Sequence, residues 1–259
     1  MITQDEYALL AQTGKGTPCG ELMRRYWQPA ALSEELAADK PLAVQLFGEE
    51  LVLFRDGDGK PALIGRYCAH QGVDMIYGRV ETEGLRCMYH GWLFDNCGKV
   101  VLRGEWLPEK ERRWDVGQPA YPCIEAAGII FAYMGPGEPP VLPLRQLGAE
   151  PMTSYPVKRL ERKANYFHGI VNVDEQLPHR DRFFIPNLVV SRGESAAEEN
   201  RLRWHVPVDD QTHFEYTLCY LGPFPSTSSA QTSAPEELRI ALAIILGERA
   251  TASAAPGKT

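Results

Sequence analysis

Cys68-Ala-His70-Gln-Gly72 and Cys87-Met-Tyr-His90-Gly-Trp-Leu-Phe-Asp95 are the stretches that decide how this chain is read. Sixteen residues separate His70 from Cys87, so two short segments each bring one Cys and one His. Cys68, His70, Cys87 and His90 are read as the ligands of one metal centre. Spacing alone leaves two kinds of centre open, a tetrahedral zinc ion and an iron–sulfur cluster. The order of the ligands separates them. Zinc fingers usually pair Cys with Cys and then His with His, whereas each segment here carries one Cys followed by one His. That order suits a two-iron cluster with both thiolates on one iron and both imidazoles on the other.

The two segments resemble the cluster loops of a Rieske [2Fe–2S] domain, specifically those of the Rieske non-heme iron oxygenases of the phthalate dioxygenase and vanillate demethylase type. Respiratory Rieske proteins carry an extra Cys in each loop, where this chain has Val73 and Tyr89, and a Ser where it has Trp92. Fewer hydrogen bonds to the cluster imply a potential toward the negative end of the Rieske range, suited to oxygen chemistry. The run Gly20-Glu-Leu-Met-Arg-Arg-Tyr-Trp-Gln-Pro29 is similar to the N-terminal segment of the phthalate-type enzymes.

Composition bounds the rest. The chain has 259 residues, 44% of them hydrophobic, enough for one large or two ordinary domains. Its net charge of −7, with acidic and basic residues interspersed, gives no nucleic-acid footprint. The longest apolar run, Ile240 to Leu246, is too short to span a bilayer. The opening Met-Ile-Thr-Gln-Asp-Glu-Tyr has no secretory pattern, so a cytoplasmic location is expected. Of six cysteines, Cys19, Cys97, Cys123 and Cys219 are left over as scattered thiols.

Thr3 and Glu6 form a capping-box signature ahead of a short helix, and a second helix is predicted over 21–27, ending before Pro29. From Pro41 to Arg66 alternating apolar residues and the Asp56-Gly-Asp-Gly59 turn predict a β-meander. A hairpin about Asn96-Cys-Gly98 follows, and a strand over 129–133 is expected to close the sheet. The fold class is therefore α+β. N-terminal helices occupy 1–32, and an antiparallel β Rieske domain occupies 33–135. A proline-rich linker covers 136–151, a truncated catalytic domain of helix-grip (START) type covers 152–221, and a tail expected to be disordered covers 222–259.

In the second half, Asn165-Tyr166 and Asp174 resemble the start of the oxygenase catalytic motif, which implies catalytic roles for Asn165 and Asp174. In the family the acidic residue links a cluster histidine to a ligand of a mononuclear Fe(II) held by two His and a carboxylate. Here Leu177 stands where the first His belongs; His179 matches the second, and no closing carboxylate is found. His168 is a further ligand candidate, while His205 and His213 read as surface or edge side chains and Asp209-Asp210 as a turn.

The resemblance implies a homotrimeric terminal oxygenase fed by an NAD(P)H-dependent reductase or a ferredoxin. Its cofactors would be a [2Fe–2S] cluster and a mononuclear Fe(II), and it would use O2 to hydroxylate or demethylate a small aromatic or apolar substrate. The missing ligands keep open two other readings: an electron carrier or degenerate protein with the cluster alone, and an internally deleted gene product.

Overall fold

The computed structural model describes residues 3–102, 116–144, 155–171, 181–184, 186–193 and 199–221. The first helix, α1 (Gln4–Ala11), starts at the expected capping box: Glu6 N donates to Thr3 Oγ1 and Thr3 N donates to the Glu6 carboxylate. The second, α2 (Pro18–Arg24), begins and ends three residues earlier than predicted. Thr17 caps it, and Pro18 takes the first helical position, where a missing N–H costs nothing.

The chain then turns into strand β1 (Gln28–Leu32), so the segment 1–32 holds a strand after its two helices, which the sequence reading did not include. Pro29 lies inside β1, and as an edge strand β1 tolerates it. The meander follows as β2 (Leu42–Leu46), β3 (Glu49–Arg55) and β4 (Pro61–Gly65). After the first cluster loop come β5 (Arg79–Glu81), β6 (Gly84–Arg86), β7 (Leu93–Phe94) and β8 (Val100–Leu102). These four make one antiparallel sheet in chain order. Strands β9 (Ala120–Tyr121), β10 (Cys123–Ala126) and β11 (Ile129–Ala132) return the chain.

Strand β9 joins the meander, but β11 does not close it as the sequence suggested. It is the central strand of a separate sheet, β1-β11-β10. Ile129, Ile130, Phe131 and Ala132 are all fully buried, and as the central strand β11 pairs with β1 on one side and β10 on the other.

The meander is a wall between two cores. Leu51, Leu53 and Leu63 point into the larger core, while Val52, Phe54, Ala62 and Ile64 point into a smaller one that includes Cys68, Cys87 and Trp92. Period-2 alternation along β3 and β4 thus feeds both cores from one sheet.

The second half begins with β12 (Val157–Arg162) and the helix α3 (Tyr166–Val171). Strands β13 (Asp181–Phe184), β14 (Leu188–Ser191), β15 (Asn200–Pro207) and β16 (His213–Tyr220) complete an antiparallel sheet of order β12-β16-β15-β14-β13. One face, with Leu202, Trp204, Val206, Tyr216 and Leu218, joins the larger core; the rings of Phe131 and Trp204 meet edge-on at 5.7 Å. The turn after β2 is also fixed there, Phe47 N donating to Pro207 O and Gly48 N to Val208 O. Among the described residues no helix is long and apolar enough to cross a membrane.

The opposite face of the sheet corrects the reading of two histidines. His205 and His213 are 3% and 2% exposed, not on the surface. Helix α3 lies over them so closely that a Cβ on Gly169 would stand 2.3 Å from His205 Nδ1.

Candidate metal centre

The two cluster segments fold alike. In the first, Cys68 N donates to Val73 O at 2.8 Å and Gly72 N to Cys68 O at 2.7 Å. In the second, Cys87 N donates to Trp92 O at 2.8 Å and Gly91 N to Cys87 O at 3.1 Å. Each loop closes through a glycine at positive φ, Gly72 at 70° and Gly91 at 69°, where a side chain would be strained. The same local fold used twice presents one Cys and one His from each side.

The four side chains meet as two pairs. The thiols of Cys68 and Cys87, both buried, hydrogen-bond to each other. His70 Nδ1 and His90 Nδ1 face each other at 2.9 Å. Two nitrogens on one tetrahedral ion with bonds of about 2.0–2.1 Å would stand roughly 3.3 Å apart, so the imidazoles are already near the spacing a shared metal requires. Among the described residues, no three His, Cys, Asp or Glu side chains converge on one ion position. Separate thiol and imidazole pairs fit a two-iron centre better than a single zinc.

The electrostatics suit thiolate formation. The hydrogen bond from Cys68 lowers the Cys87 thiol to about 6, helped by the backbone amides of Tyr89 and His90. The same bond, followed by burial, raises Cys68 well above the ordinary thiol range, so the pair tends to share one proton until a cation displaces it.

The two imidazoles differ in surroundings. His70 is buried and lies flat under the fully buried Trp92, rings 4.6 Å apart and 9° from parallel. His90 is half-buried and stacks at 3.8 Å against Tyr89, which is 57% exposed. Sequence reasoning named these ligands but missed the arginines that brace them. Arg66 holds Asp74 with Nε and Nη2, and Arg86 holds both oxygens of Glu81. The signal was an arginine one or two residues before each Cys, with a carboxylate five to eight residues from that arginine.

The second half gives less. Asp174, His179 and Leu177 lie outside the described residues, as do 145–151 of the expected linker and the 222–259 tail. Asn165 is buried: its Nδ2 donates to Ala11 O and Asp210 O, each at 2.8 Å, and its Oδ1 accepts from Phe167 N at the start of α3. His168 faces out, its Nε2 3.3 Å from Tyr7 Oη. His213 Nδ1 donates to Ala164 O at 2.7 Å, leaving Nε2 to face His205 Nδ1 at 3.3 Å. Asp209 accepts from Gln211 N and Thr212 N within a turn, and Asp210 accepts from Thr13 N. Cys97 is exposed in the β7–β8 turn. The described residues do not assemble a mononuclear iron site.

Residues 26–109 match the Rieske [2Fe-2S] domain. The chain is 51% identical over 136 residues to the phenoxybenzoate dioxygenase α subunit of Ectopseudomonas oleovorans, covering 52% of this chain and 33% of that one. It is 41% identical over 171 residues to the 3-chlorobenzoate-3,4-dioxygenase oxygenase subunit of Comamonas testosteroni, covering 65% and 39%. The matched stretches thus span about a third of these relatives' own length. Among solved structures, the terminal oxygenase of carbazole 1,9a-dioxygenase from Novosphingobium sp. KA1 aligns with a TM-score of 0.64 at 19% identity, over 91% of this chain and 80% of that one. At that identity the likeness speaks to the fold.

Proposed function

We propose that this chain, which carries a Rieske [2Fe–2S] domain across residues 26–109, works as the terminal oxygenase component of a Rieske system. It would accept electrons from an NAD(P)H-dependent reductase or a ferredoxin and pass them toward O2 activation, for hydroxylation or demethylation of a small aromatic or similarly apolar molecule. The observation that carries this reading is the doubled loop, with its thiol pair and its imidazole pair at 2.9 Å.

Cys68 and Cys87 are assigned to one iron of the cluster and His70 and His90 to the other. When bound, the cluster supplies a one-electron carrier. The residues around it set its exposure: Trp92 seals His70 from water, while the half-exposed His90 and the Tyr89 ring form the side a redox partner approaches. Asp174 is assigned to the link between one subunit's cluster and the next subunit's catalytic domain in a homotrimer, and His179 to the mononuclear iron. The four thiols left outside the cluster, Cys19, Cys97, Cys123 and Cys219, suit a reducing cytoplasm.

A second reading is favoured by one observation. Leu177 occupies the place where the family motif has its first histidine. On that reading the protein holds the cluster alone and carries electrons.

Iron and acid-labile sulfide per chain, measured on anaerobically purified protein reconstituted with ferrous ion, separate the two. Three irons to two sulfides support the oxygenase. Two to two leave the electron carrier, and zinc without sulfide overturns both.

A further inference from the structure

The second cluster loop is held from within by a side chain that belongs to it. Arg86, the last residue of β6, donates from Nε and Nη2 to Glu81 Oε1 and Oε2, each at 2.7 Å. Its remaining nitrogen, Nη1, crosses the loop and donates to Gly91 O at 2.6 Å. Gly91 directly follows His90, so one guanidinium joins the loop's entry to its exit while a carboxylate fixes the plane of the fork.

The first loop is braced differently. Arg66 pairs with Asp74 and reaches Glu50, so its guanidinium is held by carboxylates on either side and does not tie the loop's entry to its exit as Arg86 does. Asp74 in turn accepts from Ile76 N, anchoring the short 3-10 helix Met75–Tyr77 beyond the loop. The difference follows burial. His70 is clamped by the core under Trp92, whereas the half-buried His90 lies between His70 and the exposed Tyr89 ring.

We infer that Arg86 is a positioning residue for the cluster, fixing His90 through the Gly91 carbonyl, with Glu81 orienting Arg86. The inference rests on the assignment of Cys87 and His90 as cluster ligands. Glu81 also receives Arg79, so it stays ionised and keeps the fork locked. Replacing the guanidinium by an apolar chain frees the Gly91 carbonyl and lets the imidazole swing toward solvent.

The test uses the full chain loaded with cluster. Arg86→Leu is compared with Arg86→Lys, Glu81→Gln and the control Arg55→Leu, which breaks the bidentate Arg55–Glu125 pair outside the cluster loops. Reduction potential, the electron-spin-resonance g values and the half-time of cluster release to a chelator are read beside the thermal midpoint. Release from Arg86→Leu is expected about tenfold faster or more, with altered g values, the charge-assisted bonds being the strong ones. Arg86→Lys reaches one partner but not both and falls between. Arg55→Leu lowers the thermal midpoint without changing release or g values.

Wild-type g values and release in Arg86→Leu would overturn the inference, as would equal acceleration in Arg55→Leu. Should Arg86→Leu fail to fold, Glu81→Gln decides by the same readouts, with faster release expected and an unchanged rate counting against the brace. A wild-type protein that takes up no cluster at all overturns the ligand assignment instead, a different failure.

Discussion

His205 shows what burial does to a single residue. It is pressed between the sheet and α3, and its pKa falls to about 3, first through burial and then through His213, Arg203 and Arg162 nearby. His213 is lowered as well, by burial, although the Ala164 carbonyl and Glu215 work against it. A base that is neutral in the fold but titrates near 6.5 when unfolded contributes stability that is complete above that pH. The contribution is lost as pH falls toward 3, by at most about 1.4 kcal/mol per pH unit. Urea midpoints at pH 7.5, 6 and 5 should fall in that order, and His205→Phe, which keeps a ring but removes the base, should flatten the slope. Parallel slopes in the two proteins would refute the account. Alternation along the strand put His205 on the face opposite Trp204 and Val206 correctly; its burial was hidden because the cover comes from α3, far earlier in the chain. Asn165 is another case where the neighbours decide. Its amide is engaged with Ala11, Asp210 and Phe167, so Asn165→Ala should cost about 1–3 kcal/mol with the cluster spectrum unchanged. Unaltered stability together with lost turnover would instead favour the catalytic role that the family resemblance implies.

Among the elements, the cluster loops were the most legible, since all four ligands lie in two contiguous segments and each loop closes on its own glycine. The hairpin that frames the second loop depends on a glycine for a different reason. Gly84, at φ 146°, sits so close to β7 that a Cβ would stand 1.9 Å from Phe94 O, a clash with backbone that cannot move aside. Gly72, at φ 70°, has open space around it and would meet only conformational strain. Gly84→Ala should therefore prevent the loop from forming and abolish cluster uptake, while Gly72→Ala should lower stability by roughly 1–2 kcal/mol and retain the cluster. Visible circular dichroism of the two purified variants checks this, and equal cluster content would show that the close approach is not required. Strand β1 was not legible, because Pro29 within it reads as a helix stop, and nothing local says that Ile129–Ala132 needs a partner at its side. The catalytic motif was legible only as a resemblance, with its first histidine replaced by Leu177.

Over the whole molecule, the meander separates two cores that carry different duties. The larger core binds the N-terminal segment, β1, β11 and the five-stranded sheet into one apolar body, and the smaller core encloses the thiols of the candidate cluster. Damage to the first should therefore spare the second until the wall itself gives way. Trp204 is the place to test it: 5% exposed, edge-on to Phe131, and on the far side of the meander from the cluster loops. Trp204→Ala should cost about 3–5 kcal/mol and lower the thermal midpoint by roughly ten degrees. Below that midpoint the visible circular dichroism of the cluster should match wild type in sign and intensity. The five-stranded sheet is tied to the meander through the Phe47-Gly48 turn, whose amides donate to Pro207 and Val208, so cluster loss on heating should coincide with unfolding in both proteins. A variant whose cluster bands change well below its midpoint would mean that the five-stranded sheet acts directly on the cluster loops, and that the meander transmits strain instead of separating two packed bodies.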